Sequence, residues 1–360
     1  MQSYRFQTNQ TQTIMSTDDT IAAWGNHVDG AVALTKLRGT DQFDNEMSHA
    51  IFRAVRTMMV RRTTKPSSRS NRVTQITSCV QRSKPIDSFP SSNGWIGNGA
   101  FSDENVANRL TLICIDLPSL RARANLLTTT PHNPNDESEA KQILKFAQMV
   151  DGNLAEWYST LPSEWKHNTI GIVSEVPADE DLAVTEKWPG EQHIYTDVPL
   201  ASIVNDYRVC RIFCRRVIMA CINWLSIGGH VDKAGEYNHS RFVIQSMVDD
   251  VSACVPFHLD YELQTVAKEM GQEQNGMFSN LFHISFWVVY TNDCTAAEAF
   301  GGYSLVWPLY VAANAETVPQ AQRDWLFGRL SVIGTKFGLS SAQVLVLARR
   351  HVLTCGPMFP

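Results

Sequence analysis

The stretch "DVPLASIVNDYRVCRIFCRRVIMACINWLS", Asp197 to Ser226, carries the clearest period in the chain. Ile203, Tyr207, Cys210, Cys214, Val217, Cys221 and Trp224 recur at alternating spacings of four and three, which stacks them on one face of an α-helix. Asp197 stands where a carboxylate can accept from the orphan N–H groups of a first turn, and Gly228 and Gly229 supply a stop. The spacing predicts a central, buried helix. Three of its seam residues are cysteines, but a metal would need a fourth ligand nearby, and Cys221 lies about two turns beyond Cys214. They read as core.

Working outward, the same period recurs almost everywhere. Residues 18–38 place Ile21, Trp24, Val28, Ala31 and Val32 on one face before Gly39, and residues 44–62 repeat the pattern. "ENVANRLTLICIDLPSLRARANLL" (Glu104 to Leu127) is helical on either side of Pro118, whose missing N–H and ring predict a bend or a split. Asn135 to Leu161 is strongly amphipathic, with Asp136 at its cap and Ala140, Ile143, Leu144, Ala147, Val150, Leu154 and Trp157 along one stripe. Further helices are expected over 236–255, 279–292, 301–315, 319–337 and 341–353. No alternating strand pattern and no internal repeat is found. The expectation is an all-α fold, a large irregular helical domain of about ten helices over 18–355, preceded by a disordered tail over 1–17. A chain of 360 residues buries roughly three quarters of the surface that it exposes when unfolded, so such a core needs no disulfide or metal support.

Two connections interrupt the pattern. A basic loop over 61–84 lies within a longer acid-free run: from Met47 to Ile86 stand nine Arg or Lys (Arg53, Arg56, Arg61, Arg62, Lys65, Arg69, Arg72, Arg82, Lys84) and no Asp or Glu, although the whole chain has a net charge of -5. A long, irregular acidic connection is expected over 163–196, with "EVPADED" as its densest part. The basic loop reads as a solvated segment, with Arg61, Arg62, Lys65, Arg69 and Arg72 as the residues that would contact nucleic acid or serve nuclear import. Without interleaved aromatics it offers no base stacking.

"GGYSLVWPLYVAA", Gly301 to Ala313, is nearly all apolar, but spanning a membrane takes about 18 to 20 such residues, so no membrane is expected as a partner. The Gln- and Thr-rich N-terminus has no apolar core of the kind a secretory signal needs, which predicts an intracellular protein. A buried helix bent at Pro308 is the expectation for this stretch.

No catalytic, cofactor or metal-binding signature emerges. The eight cysteines contain no CxxC pair, Glu46 and His49 form a single E-x-x-H where a di-iron bundle uses two, and Gly94, Gly97 and Gly99 do not match a dinucleotide fingerprint. The ten histidines are scattered, with no general-base partner close in sequence.

"GGYSLVWPLYVAANAETVPQAQRDWLFGRLSVIGTKFGLSSAQVLV" resembles the C-terminal part of the fungal-specific transcription factor domain, the helical region that follows the six-cysteine zinc cluster in many fungal regulators. The family pattern has W-P-L-Y, R-x-W-L and I-G-x-x-x-G-[ILM] segments; here these are Trp307 to Tyr310, Arg323 to Leu326 and Ile333 to Leu339. "WGNHVDGAVALTKLRGTDQF" (Trp24 to Phe43), the Glu104 to Leu127 block and "DDVSACVPFHL" (Asp249 to Leu259) resemble the same family in the same order. The six clustered cysteines are missing, since the first cysteine is Cys79, and the helices that usually precede the Trp24 block are missing too. A truncated relative or a degenerate gene product fits that departure. The resemblance implies a nuclear or cytoplasmic transcriptional regulator, of the kind tied to secondary metabolism, that acts through protein partners or a small effector and does not bind specific DNA by itself. It also implies an effector pocket beside the bend, at Tyr303, Trp307 and Tyr310. The alternative is a metabolic enzyme or small-molecule binder with a site between helices.

Overall fold

Helices make up most of the described elements in the computed structural model. The structure describes residues 106–114, 116–175, 185–227, 234–260, 262–265 and 294–339, together with 181 and isolated positions in 30–55 and 342–346. The basic loop, the 1–17 tail, the 279–292 helix, most of the helices expected over 18–38, 44–62 and 341–353, and their Glu46–His49 and glycine-run candidates lie outside the described residues. Arg61, Arg62, Lys65, Arg69 and Arg72 are among these. The helices described are α1 (Val106–Ile113), α2 (Leu117–Thr129), α3 (Glu137–Ser159), α4 (Val198–Ile227), α5 (Ala234–Leu259), α6 (Cys294–Ala313) and α7 (Gln320–Lys336). The fold class is mainly α, as expected.

One element contradicts the reading of the acidic connection as irregular. Within it, β1 (Asn168–Val173) and β2 (Gly190–Ile194) pair antiparallel, with a register irregularity between Thr169 and Gly171. β1 is exposed along nearly its whole length, so neither face shows the alternation that marks a half-buried strand. β2 buries Gln192, His193 and Ile194, a set too polar to stand out as a strand.

The described residues divide into two compact units: those within Leu161–Ile212 and Arg241–Arg350 form the first, and those within Asp18–Thr160 and Phe213–Ser240 the second. In the second unit, Pro118 falls in the first turn of α2, where its missing N–H replaces one that would be orphaned anyway, and it separates α1 from α2. The expected stripe of α3 is buried throughout, and its Trp157 Nε1 donates to the Val106 carbonyl at 2.8 Å. Asp136 occupies the cap position of α3 without a side-chain cap bond; the local cap is made instead by Asn133, which accepts from the Asn135 N–H at the preceding 3-10 turn. Asp151 on α3 and Arg215 on α4, both nearly inaccessible, pair at 2.7 Å, and Glu236 and Ser240 take up another nitrogen of the same guanidinium.

In the first unit, the cap of α4 is as expected: the Asp197 carboxylate accepts from the Leu200 N–H at 2.7 Å. Burial extends beyond a seam, however, since Arg208 of this part of α4 is buried as well, as are Arg215 and Arg216 of its part in the second unit. α6 begins at Cys294, so Gly301 and Gly302 lie inside it and do not open it. Both serve close packing. A Cβ on Gly301 would overlap the His258 carbonyl oxygen at the end of α5, and one on Gly302 would stand 2.8 Å from the Phe337 ring beyond α7. From Leu305 to Ala313 every residue of α6, Pro308 included, is buried, which is what an apolar run without a polar face dictates. Arg323 at the start of α7 donates to the Ala313 carbonyl, an orphan acceptor at the end of α6, and to the carbonyls of Ala315 and Val318 in the connection between the two helices. Trp325 of the same segment donates to the Thr185 carbonyl at 2.9 Å.

Candidate functional site

Arg208 in α4 has no exposed surface, so its charge must be met inside the first unit. The guanidinium donates to the Asn205 Oδ1 at 2.7 Å and the Tyr195 hydroxyl at 2.6 Å, and the Asp250 carboxylate of α5 lies 3.5 Å from its Nε. Asn205 thereby has its carbonyl oxygen turned toward Arg208 and its amide nitrogen toward His258 Nε2, at 3.3 Å. Facing a donor, Nε2 must accept, so the proton of the neutral ring sits on Nδ1. That nitrogen faces Ser304 Oγ of α6 at 2.9 Å, and the Ser304 hydroxyl donates onward to the Gly301 carbonyl at 2.7 Å. Donation therefore runs one way, from Arg208 through Asn205, His258 and Ser304 to the α6 backbone.

Burial, reinforced by the positive Arg208, pulls His258 down to about 3. The ring is neutral at physiological pH, and it donates toward Ser304 where a general base would have to accept. Ser304 is not activated by this pair. Burial also pushes the Cys254 thiol up, which withholds the thiolate a nucleophile requires.

A second group of side chains flanks Tyr195. β2 points Glu191 and His193 the same way, and the pairing of Asn168 with Ile194 brings His167, just before β1, alongside His193. The two imidazoles stack with centroids 3.6 Å apart, and His167 meets the Tyr195 ring edge-on at 6.1 Å. Glu191 Oε2 accepts from the Thr169 hydroxyl at 3.1 Å and lies 3.0 Å from His193 Nε2. The bond to His193, followed by that to Thr169, holds the Glu191 carboxyl below the usual range. Burial, with His193 and Arg208 adding to it, brings His167 down to about 4, and burial lowers His193 too. Sequence reading passed over these three residues because His167 and His193 are far apart in the chain. The signal was Glu191–Gln192–His193, an i, i+2 pair that shares a face only if the segment is a strand.

Tyr303, Trp307 and Tyr310 all stand on α6, at helical spacings of four and three. The Trp307 and Tyr310 rings lie 5.9 Å apart and nearly parallel, both buried, whereas Tyr303 is half exposed. Trp307 and Tyr310 are brought together; Tyr303 extends the row to the surface.

No protein-family model matches the chain, and no solved structure does. The chain is similar to the transcription factor dbaG of Emericella nidulans, with 24% identity over 253 residues, covering 69% of this chain and 54% of that protein. This similarity supports a relationship to a fungal transcription factor. The chain spans about half the length of the curated relative it matches. Among the described residues, no helix is long and apolar enough to cross a membrane.

Proposed function

We propose that this chain is a helical regulatory domain that controls transcription in the nucleus, acting through protein partners or a small effector and leaving sequence-specific DNA reading to another component. The observation that carries the reading is the similarity over 253 residues to a protein named a transcription factor. The mainly helical fold and the ordered W-P-L-Y and R-x-W-L segments support it. Arg323 and Trp325 of the second segment bond backbone carbonyls across turns of the chain, so the motif has a structural job in this protein. The residues given contain no closely spaced set of six cysteines, and phosphate contact through the basic loop would supply attraction without base readout.

An effector would enter beside Tyr303, the one of the three α6 aromatics with substantial exposure, and would have to part Trp307 and Tyr310 to go deeper. The metabolic-enzyme alternative gains nothing from the Ser304–His258 pair, whose hydrogen bonds run the wrong way for nucleophile activation.

Tethering tests the reading. The full chain fused to an unrelated DNA-binding module in a fungal cell should change expression of a reporter carrying that module's site, while the unfused chain should leave it unchanged and show no preference among DNA sequences in vitro. A silent fusion, present in the nucleus at normal levels, would count against a regulatory role; selective DNA binding by the unfused chain would overturn the division of labour.

A further inference from the structure

We propose that His167, Glu191 and His193 form a binding site for a divalent first-row transition cation, with zinc as the reference ion. One ligand atom from each residue lies within 4.8 Å of the other two. Two imidazoles and one carboxylate are a donor set suited to zinc and its neighbours, and a poor one for magnesium or calcium, which take oxygen. At metal–ligand distances of about 2.0 to 2.2 Å, neighbouring donors of a tetrahedral site stand roughly 3.3 Å apart. The 3.0 Å between His193 Nε2 and Glu191 Oε2 is already near that spacing.

Two further observations point the same way. The Nδ1 atoms of His167 and His193 are both enclosed without a hydrogen-bond partner, and His193 is only 2% exposed. Buried ring nitrogens are ordinarily satisfied, so two stacked imidazoles that each keep a bare nitrogen mark a place with unspent binding capacity. Among the charges acting on these rings, Arg208 opposes a cation, whereas Asp250 and Glu191 favour one. Finally, the Glu191 side chain is 54% exposed, which gives an ion a path from solvent and leaves room for water as a fourth ligand.

The rings lie at 14° to each other, so their lone pairs lie in separate, nearly parallel planes, and sharing an ion requires one ring to tilt. His167 has the freedom to do so, because it precedes β1 and is only half buried. A bound ion would then join the residue before β1 to β2 and press on Tyr195, the residue that meets Arg208. This site is independent of the regulatory reading above.

The test uses the full chain stripped with a chelator and titrated with Zn²⁺, Co²⁺ and Mg²⁺ by calorimetry, with thermal melting in parallel. One equivalent of Zn²⁺ should bind and raise the melting temperature, Co²⁺ should give visible ligand-field absorption, and Mg²⁺ should do neither. Glu191→Gln and His167→Gln change accessible groups and should melt like the parent in chelator, yet each should weaken zinc binding by about 10- to 100-fold or more. The absence of saturable Zn²⁺ binding would overturn the proposal. So would parental affinity in both variants, the result expected if thiols elsewhere held the ion.

Discussion

Gly301 of α6 rests directly on the carbonyl of His258, the penultimate residue of α5, with no room between them for a methyl group. Glycine inside a helix normally costs about 1 kcal/mol relative to alanine. Here the cost is accepted because a larger residue would push two helices apart. Gly301→Ala should therefore destabilise, by about 1 to 3 kcal/mol, against the intrinsic preference. Gly152→Ala on α3, where no atom lies within 4 Å of the new methyl, should instead gain up to about 1 kcal/mol. Urea unfolding of both variants checks the opposite signs; a neutral or stabilising Gly301→Ala would show that α6 and α5 are not so closely seated.

The buried Asp151–Arg215 pair predicts an asymmetric response. Asp151→Ala leaves the guanidinium with Glu236 as its remaining carboxylate and should cost about 3 kcal/mol. Glu236→Ala removes the more exposed partner and should cost under about 1 kcal/mol. Equal losses in denaturant titrations would mean that the two carboxylates share the charge evenly.

Acid should weaken the fold through His258. Its pKa falls from 6.5 to about 3 on burial, so the unfolded chain takes up a proton below about pH 6.5 while the native chain does not. Stability from this group is complete above pH 6.5 and is lost as pH falls toward 3. Between pH 7.5 and 5 the loss is about 2 kcal/mol from His258 alone, and His167 and His193 shift in the same direction. Unfolding midpoints followed over that range, in the parent and in His258→Gln, should show the shallower slope in the variant. Parallel slopes would remove His258 as a source.

For the effector reading, Tyr303→Ala should leave the unfolding midpoint within about 0.5 kcal/mol of the parent, since half of its ring already faces solvent. In the tethered reporter it should nevertheless alter the response if a small molecule docks along α6. A variant with unaltered reporter output would place any effector elsewhere.

What could be read from the sequence followed from the kind of signal each element carries. The α3 stripe and the Asp197-capped α4 were legible because a helix writes its buried face at intervals of three and four over many residues. β1 and β2 were missed for the converse reason: five of the six residues of β1 face solvent, and β2 buries a glutamine and a histidine where a strand signal would need apolar residues. The Gly301 approach was hidden too, since "GG" at the head of an apolar run reads as a helix start and says nothing of a carbonyl from α5. Arg208 is charged yet enclosed, and only the folded arrangement of Tyr195, Asn205 and Asp250 explains why it is there.

The one-way order of donors from Arg208 to Gly301 also limits what evolution can write at position 205. The residue must offer oxygen to one neighbour and hydrogen to the other from a side chain of fixed reach, and among the twenty amino acids only asparagine does both at that length. Aspartate has nearly the same shape but no hydrogen to offer, so it would force His258 to turn over or take up a proton. That would reverse the link to Ser304 without altering the volume of the core. In such an interior, spelling matters more than size, and an atom-for-atom swap could do what a truncation elsewhere would not.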